Sequence, residues 1–410
     1  LSGFVYVNLF QCVIHQFVRA INSNYDYIIA GGGMAGLSLA YYLSQSEVLR
    51  DKTILILEKE QKNKNDRTWC FWERGEQNPF EKIVYRKWQK LDFFADGFSK
   101  RYVLKDYLYK MIRGIDFYEF VLAHLRDHTN IHRKQHEVEQ ISTTDQGAVV
   151  TTTGGVFTAR YAFDSTFRPD FQKPGSHFLL QHFKGWVITV PKPQFDTSCA
   201  ILHDFRIAQQ GDEARFFYLL PFSPTQALIE YTLFSPGLLD EQQYNAELHA
   251  YIREKLQLHD YTIDEEEFGV IPMSDAAVSQ QASSRVIRIG TAGGYVRPST
   301  GYTFARTQRY LQQIVKNLES QTPVLSDPSL FSKRFQFYDS VMLNVLTKKR
   351  YPGSDFFTQL YRDNPIERIF DFLDEKTRLP DELKLMSTVP WWPFTKAAAD
   401  VIFRNRSRIS

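Results

Sequence analysis

The sequence predicts an α/β protein: a Rossmann-like β-α-β unit with a parallel sheet, an antiparallel-sheet domain and a mostly helical C-terminal part. Three observations predict it. A glycine-rich loop, Gly31-Gly32-Gly33-Met34-Ala35-Gly36, falls between an apolar run and a helical pattern. A second glycine-rich stretch, residues 290–306 (GTAGGYVRPSTGYTFAR), lies in the C-terminal half. Between them, residues 175–275 carry successive short runs of strand type. At 410 residues the chain is too long for one ordinary core, so two domains and a helical tail are expected.

Residues 25–30 (YDYIIA) form a short apolar run ending in glycines, the pattern of a buried parallel strand. Residues 34–45 follow as a helix, with Leu37, Leu39, Ala40 and Leu43 as apolar positions, and residues 53–57 (TILIL) form the second strand. Residues 101–113 (RYVLKDYLYKMIR) read as an amphipathic helix. A strand meander is expected over 137–141, 148–153 and 156–163, with a turn at Gly154-Gly155 and an end at Asp164. Strands follow at 185–190, 200–204, 215–220 and 226–232, then a helix over 244–256. Residues 285–289 (RVIRI) form a strand that rejoins the first domain, and the pattern after Gly301 is helical. The expected organisation is an extension at 1–24, a discontinuous nucleotide domain at 25–69, 98–170 and 278–320, a substrate domain at 70–97 and 171–277, and a helical region at 321–410.

Gly31-x-Gly33-x-x-Gly36 lies where its mechanism requires, between strand and helix. Gly31 allows the tight turn, Gly33 lets backbone approach a pyrophosphate, and Gly36 lets helix and strand pack closely. Met34 and Ala35 open the helix, whose free N–H groups and partial positive charge favour phosphate. Glu58 ends the next strand about 20 residues beyond Gly36, where an acid accepts hydrogen bonds from an adenosine ribose. Lys59 follows it. The loop alone does not separate NAD from FAD. Asp164 at a strand end, and Gly290, Ala292 and Gly293 after a later strand, mark a chain that returns to close over the far end of a longer ligand. Thr300, Gly301 and Tyr302 are then expected to open the next helix near a flavin. Together these features predict a two-dinucleotide-binding-type FAD flavoprotein fold.

Composition limits the partners. Hydrophobic content of 43% and charged content of 23% are those of a soluble globular protein, and a net charge of +2 makes no case for nucleic acid. Aromatic content is high, at 15%, which serves either a Phe-rich core or a pocket for a long apolar ligand. Cys12, Cys70 and Cys199 have neither disulfide nor metal spacing, so a reducing cytoplasm and no metal site are expected. No run approaches the ~18 apolar residues of a membrane span. Residues 389–394 (VPWWPF), followed by Lys396, Ile402, Phe403, Arg404, Arg406 and Arg408, mix aromatic and basic side chains, as an interfacial membrane segment does.

Several segments resemble one family. Residues 66–72 (DRTWCFW), with Arg67, Thr68 and Trp69, resemble the RTWCFW stretch of FAD-dependent lycopene cyclases. Residues 290–306 resemble their AG-V-HPSTGY-FAR segment, with Arg297 in place of the usual His. Residues 228–232 (LIEYT) resemble their FLEET or IEDT strand, and 373–375 (LDE) match their FLDE. The resemblance runs in order from about residue 25 to 400. It implies a bacterial-type lycopene β-cyclase, an intramolecular lyase or isomerase of carotenoid biosynthesis. Such an enzyme closes ψ end groups of lycopene to β rings, giving γ-carotene or β-carotene, with no net redox change. The resemblance also implies reduced FAD, NAD(P)H as electron source, a peripherally membrane-associated cytoplasmic location, and Glu230 as catalytic residue. Arg67, Thr68 and Trp69 would join the cofactor site. The family's second acid is Tyr231 here, which leaves a paired carboxylate unassigned.

Cyclising a polyene end requires a proton at the terminal double bond. A carboxyl in an apolar site is kept protonated by desolvation and can act as general acid near neutral pH. Glu230 lies in an otherwise apolar strand and, by alternation, shares a face with Leu228 and Thr232. Trp69, Phe71 and Trp72 serve either as cation–π partners or as core. Competing readings are an FAD-dependent monooxygenase, a prenyl-chain reductase acting on an isoprenoid, and a non-catalytic flavoprotein.

Overall fold

The computed structural model describes residues 21–76, 78–211, 213–325 and 330–407. Most of the expected extension, with Cys12, lies outside the described residues, and residues 21–24 already belong to the first strand. That strand, β1 (Ile21–Ala30), leads through α1 (Met34–Gln45) to β2 (Ile54–Leu57). β1 and β2 are parallel, with Tyr27 opposite Ile54 and Ala30 opposite Leu57. Ile28, Ile29, Ile54, Leu55, Ile56 and Leu57 are all buried, as the two covered faces of a parallel sheet require.

Next come β3 (Thr68–Arg74), β4 (Arg86–Trp88), β5 (Lys90–Ala95), β6 (Phe98–Val103) and β7 (Tyr107–Arg113). The helix expected over 101–113 is therefore not formed. Tyr107, Tyr109 and Met111 alternate onto one buried face, a period of two rather than 3.6. β3 supplies a partner along the whole of β7, from Thr68 opposite Arg113 to Arg74 opposite Tyr107. Lys110 is buried on the opposite face, where its ammonium donates to Glu73 at 2.9 Å and Glu81 at 2.6 Å. β4 completes this three-stranded sheet, in the order β3-β7-β4.

α2 (Gly114–Arg126) and β8 (Ile131–Lys134) lead to the meander β9 (Val138–Thr144), β10 (Gly147–Thr152) and β11 (Gly155–Asp164), close to the predicted limits. β11 returns parallel to β1, with Ala30 opposite Asp164.

The second large sheet contains β12 (Phe178–Thr189), β13 (Cys199–Asp204), β14 (Ala214–Ser223) and β15 (Gln226–Ser235). α3 (Glu241–Ala250) follows, then β16 (Thr262–Ser274). The sheet order is β16-β12-β15-β14-β13-β5-β6, so β6, grouped by the sequence with 98–170, pairs here. One face, with Trp186, Phe217, Ile229 and Tyr231, packs in one cluster with Tyr244 and Leu248 of α3. α3 starts three residues before its predicted limit because Asp240 and Gln243 form a reciprocal capping box. It ends at Ala250 and continues as one π-turn over Tyr251–Lys255, where a single helix was expected.

β17 (Gln281–Ser283) and β18 (Val286–Arg288) rejoin the first sheet, whose main path is β17-β18-β11-β1-β2-β8. α4 (Phe304–Glu319) follows, so Thr300, Gly301 and Tyr302 form the loop before the helix rather than its first turn. The remaining described elements are α5 (Leu330–Thr347), α6 (Gly353–Asp363), α7 (Ile366–Leu373), α8 (Leu379–Met386) and α9 (Trp391–Ser407).

Candidate active site

The glycine loop turns at the carboxyl end of β1, between its two parallel neighbours β2 and β11, which is where open α/β sheets bind ligands. Gly31 takes a φ of +96°. A Cβ on Gly36 would stand 2.0 Å from the Gly31 carbonyl oxygen, so this glycine lets helix and strand touch. A Cβ on Gly33 would meet nothing within 4 Å, so Gly33 faces open space rather than protein.

That space is a chamber of about 590 Å³, within the range of small-molecule sites. Gly33, Met34, Ala35, Arg67, Thr68, Trp69, Gly290, Thr300, Gly301 and Tyr302 line it, together with Glu230. The structure thus brings together most of the residues singled out by sequence. Gly31, Gly36, Ala292 and Gly293 shape its walls from behind. A Cβ on Gly293, for example, would stand 2.4 Å from the Arg288 carbonyl oxygen. Glu58 is not on the lining; its carboxylate accepts the Gly32 N–H at 2.7 Å and the Glu60 N–H at 3.0 Å, holding the loop. Asp164 also turns inward to its own chain, accepting from the Thr166 N–H at 2.8 Å, the Thr166 hydroxyl and the Phe167 N–H. Lys59 points away and pairs with Glu137 at 3.5 Å. Ser165, Glu60 and Lys62, which sequence reasoning missed, line the chamber beside them.

The chamber fits a dinucleotide. The N-terminus of α1 carries no side-chain cap, so its N–H groups are free to bind phosphate. At the other end, Thr300 Oγ1 and Gln181 Oε1 are buried, line the chamber and have no partner among the described residues. Gly290 and Gly301 have φ values of +63° and +72°, and a Cβ on Gly301 would stand 2.2 Å from Gln181 Oε1.

Glu230 sits on the inner face of the second sheet. Its neighbours across the strands are Tyr218 on β14 and Gly185 on β12. Leu228 shares the chamber wall, and the Thr232 hydroxyl donates to Glu230 at 2.7 Å, so the predicted alternation holds. Tyr231 faces the opposite way, into the α3 core, and its ring stacks on Phe217. The second carboxyl comes from elsewhere. Gly185 pairs with Glu230 on one side and Glu267 of β16 on the other, so two carboxyls flank a residue without a side chain. Burial, then the charge of Glu267, pushes the Glu230 carboxyl well above the usual range. Nothing in the run Asp264-Glu265-Glu266-Glu267 marks the fourth acid in sequence. Only the cross-strand register does.

Tyr109 and Tyr302 are linked by their hydroxyls at 3.1 Å, and Tyr218 lies against Tyr302. Tyr218, Tyr302 and Thr300 also line a second, apolar cavity of about 290 Å³. Its walls include Phe357, Leu360, Phe372, Phe394 and Trp391 from the C-terminal helices. His203 lines it too, but burial pushes its pKa down to about 3, so it is neutral there.

The distant motifs are knitted together behind these cavities. The Trp72 indole donates to Asp374 at 3.1 Å and stacks on Phe370, while Phe71 stacks on Phe304. Arg297, the departure from the HPSTGY pattern, is buried and clamps the loop to the C-terminal helices. It pairs with Asp339 at 3.1 Å and also donates to the Leu373 carbonyl.

This fold is that of FAD-dependent flavoproteins. A geranylgeranyl bacteriochlorophyll reductase-like protein from Thermoplasma acidophilum superposes with a TM-score of 0.62 at 12% identity, covering 92% of this chain and 99% of that one. The halogenase PltM, solved with phloroglucinol and FAD, gives 0.58 at 15% identity, over 94% and 92%. The family model described as lycopene cyclase protein matches residues 26–399, and the chain belongs to that family. It is 29% identical over 180 residues to the chloroplastic lycopene beta cyclase of Nicotiana tabacum, covering 40% of this chain and 33% of that protein. It is 34% identical over 140 residues to the lycopene beta-cyclase of Paracoccus sp. (strain N81106 / MBIC 01143), covering 32% and 35%. The matches thus span about a third of the length of these relatives.

Proposed function

We propose that this protein is an FAD-dependent lycopene β-cyclase, closing acyclic ψ end groups to β rings with Glu230 as general acid. The observation that carries this reading is the position of Glu230: a buried carboxyl, whose pKa burial raises, on a chamber that adjoins an apolar cavity. The chamber suits a dinucleotide and the cavity suits a polyene chain. Tyr218 and Tyr302 stand where the two meet.

Glu230 donates its proton to the terminal double bond, and the tertiary cation so formed is attacked by the next alkene. Tyr218 and Tyr302, which line both cavities, would favour this charge by cation–π contact. Loss of a ring proton to the Glu230 carboxylate gives the β end group and restores the acid, so atoms and electrons balance without an oxidant. FAD would be held by the N–H groups at Gly33, Met34 and Ala35, by Arg67, Thr68 and Trp69, and by the Gly290 and 300–302 loops. When bound and reduced it supplies negative charge beside the cation. NAD(P)H is the proposed source of electrons to keep it reduced.

The substrate dissolves in lipid, so a membrane surface is the proposed meeting place. Among the described residues no helix is long and apolar enough to cross a membrane. Trp391, Trp392 and Phe403 of α9 and Leu379 and Leu383 of α8 are exposed, and Trp391 also lines the apolar cavity. This joins an interfacial face to the cavity mouth. Arg404 does not add to that face as the sequence suggested; it pairs with Asp275 at 2.7 Å.

The test uses the purified protein, reduced FAD and lycopene in phosphatidylcholine liposomes. Cyclic carotene should form without stoichiometric loss of nicotinamide. Nicotinamide consumed in step with product would move the protein to the reductase or monooxygenase class.

A further inference from the structure

The two carboxyls that flank Gly185 face different compartments. Glu230 lines the chamber. Glu267 lines an adjoining polar cavity of about 210 Å³, bounded also by Asn65, Arg113 and Glu265 and sharing Thr68 with the chamber. That volume is far above the ~15 Å³ needed to hold one water. Two acceptors on its wall, Glu267 Oε1 and Asn65 Oδ1, are buried without a donor among the described residues. Glu265, at its rim, is exposed and accepts from the Asn65 amide at 3.2 Å. Glu267 Oε2 accepts the Thr68 hydroxyl at 2.8 Å, while Oε1 lies over Gly185, 3.1 Å from where its Cβ would stand, with Glu230 on the glycine's other side. Two carboxyls facing each other across one glycine can pass a proton only when one of them carries it.

We propose that Glu267 is a positioning residue that relays protons between Glu230 and solvent, through the Asn65–Glu265 cavity. This rests on the assignment of Glu230 as acid. In each cycle the O–H bond of Glu230 breaks as the new C–H bond forms on the substrate. The Glu230 carboxylate takes up the ring proton as the β end group forms, and between turnovers it exchanges that proton with Glu267, which exchanges in turn with water in the polar cavity. The acid thus exchanges with bulk water by a route that does not pass through the chamber. Gly185 is the structural condition for this contact, because a Cβ there would stand 3.0 Å from Glu267 Cγ.

The relay is read by turnover in D2O, in lycopene–phosphatidylcholine liposomes, with deuterium counted in the product by mass spectrometry. The wild type should place about one deuterium per ring formed, because exchange outruns turnover. Glu267→Gln should keep its flavin and still turn over. The returned ring proton is reused in that variant, so deuterium per ring should fall several-fold as turnovers accumulate. Glu267→Asp should restore it, and Asn65→Leu, which blocks the polar cavity, should lower it as Glu267→Gln does. The alkaline limb of the pH–activity profile should also move down in Glu267→Gln by about one pH unit, because a like charge beside Glu230 is gone. The other titratable and charged groups facing the pair are Cys70, Tyr109, Tyr218, Tyr302, Arg67, Arg113 and Glu265, and all remain in the variant. Unchanged deuterium content and pH profile in Glu267→Gln would overturn the relay. Complete loss of turnover in a flavin-loaded Glu267→Gln would overturn it differently, by making Glu267 the donor. Full activity of Glu230→Gln would instead overturn the assignment of the acid.

Discussion

The two cavities that meet at Tyr218 and Tyr302 are built on opposite principles. At its glycine-loop end the chamber depends on backbone: glycines at 33, 290 and 301, a bare helix N-terminus and a few polar oxygens without partners among the described residues. The apolar cavity is made from side chains, many of them aromatic, contributed largely by helices after residue 330. A backbone-lined site is set by the φ and packing of single glycines, and one Cβ destroys it. A side-chain-lined site tolerates shape change and responds in proportion to volume. Glu230, the proposed acid, lies on the chamber wall opposite Tyr218, which lines both cavities, on a strand whose other face is ordinary core.

The largest expected effect separates these principles within one loop. Gly33→Val should leave the fold and melting temperature near wild type and abolish FAD binding, because its side chain meets no protein atom. Gly36→Ala should destabilise the fold itself, since its Cβ would stand 2.0 Å from the Gly31 carbonyl oxygen. Flavin absorbance after purification and thermal denaturation read the two outcomes. A flavin-loaded Gly33→Val would break the assignment of the chamber.

Next in size is the acid. Glu230→Gln should lose about 10²–10⁴-fold in rate while keeping its flavin, the usual worth of a positioned general acid. Burial and the neighbouring Glu267 charge raise the Glu230 pKa, so the protonated form is the one that folds comfortably. Activity should fall as pH rises through that raised value. Folding stability should fall earlier, from the ordinary carboxylate range up to that raised value, since the unfolded carboxyl ionises first. Thermal denaturation of Glu230→Gln should lack that part of the pH slope.

The chamber was the more legible of the two cavities in sequence. Glycines, a strand-to-helix junction and Glu58 follow fixed local spacing, and the strands that carry Glu230 alternate regularly. What stayed hidden depends on register between distant strands. Glu267 reaches Glu230 only because both pair with Gly185, and no local pattern in residues 262–274 predicts that. The 101–113 segment was misread because Leu104, Leu108 and Ile112 also satisfy i, i+4 helical spacing. Its strand form is set by pairing with β3, 37 residues back at Glu73 and Lys110. Arg297 was unexplained in sequence because its partners Asp339 and Leu373 lie in later helices.

The smallest effects should come from the apolar side. Ala398 lines that cavity from α9, and Ala398→Phe adds bulk without touching the chamber. Its kcat/KM for lycopene should drop about ten-fold, roughly 1.4 kcal/mol, mainly through KM, with flavin binding unchanged. Trp391 and Trp392 are 74% and 68% exposed, so replacing both by Ser removes little packing inside the protein. The double variant should bind phosphatidylcholine vesicles several-fold more weakly in a flotation assay, while detergent-solubilised lycopene is still cyclised at near the wild-type rate. This separates delivery from chemistry. Equal loss with both forms of substrate would mean that the tryptophans shape the cavity rather than the approach to it, and the membrane-facing role of α9 would fall.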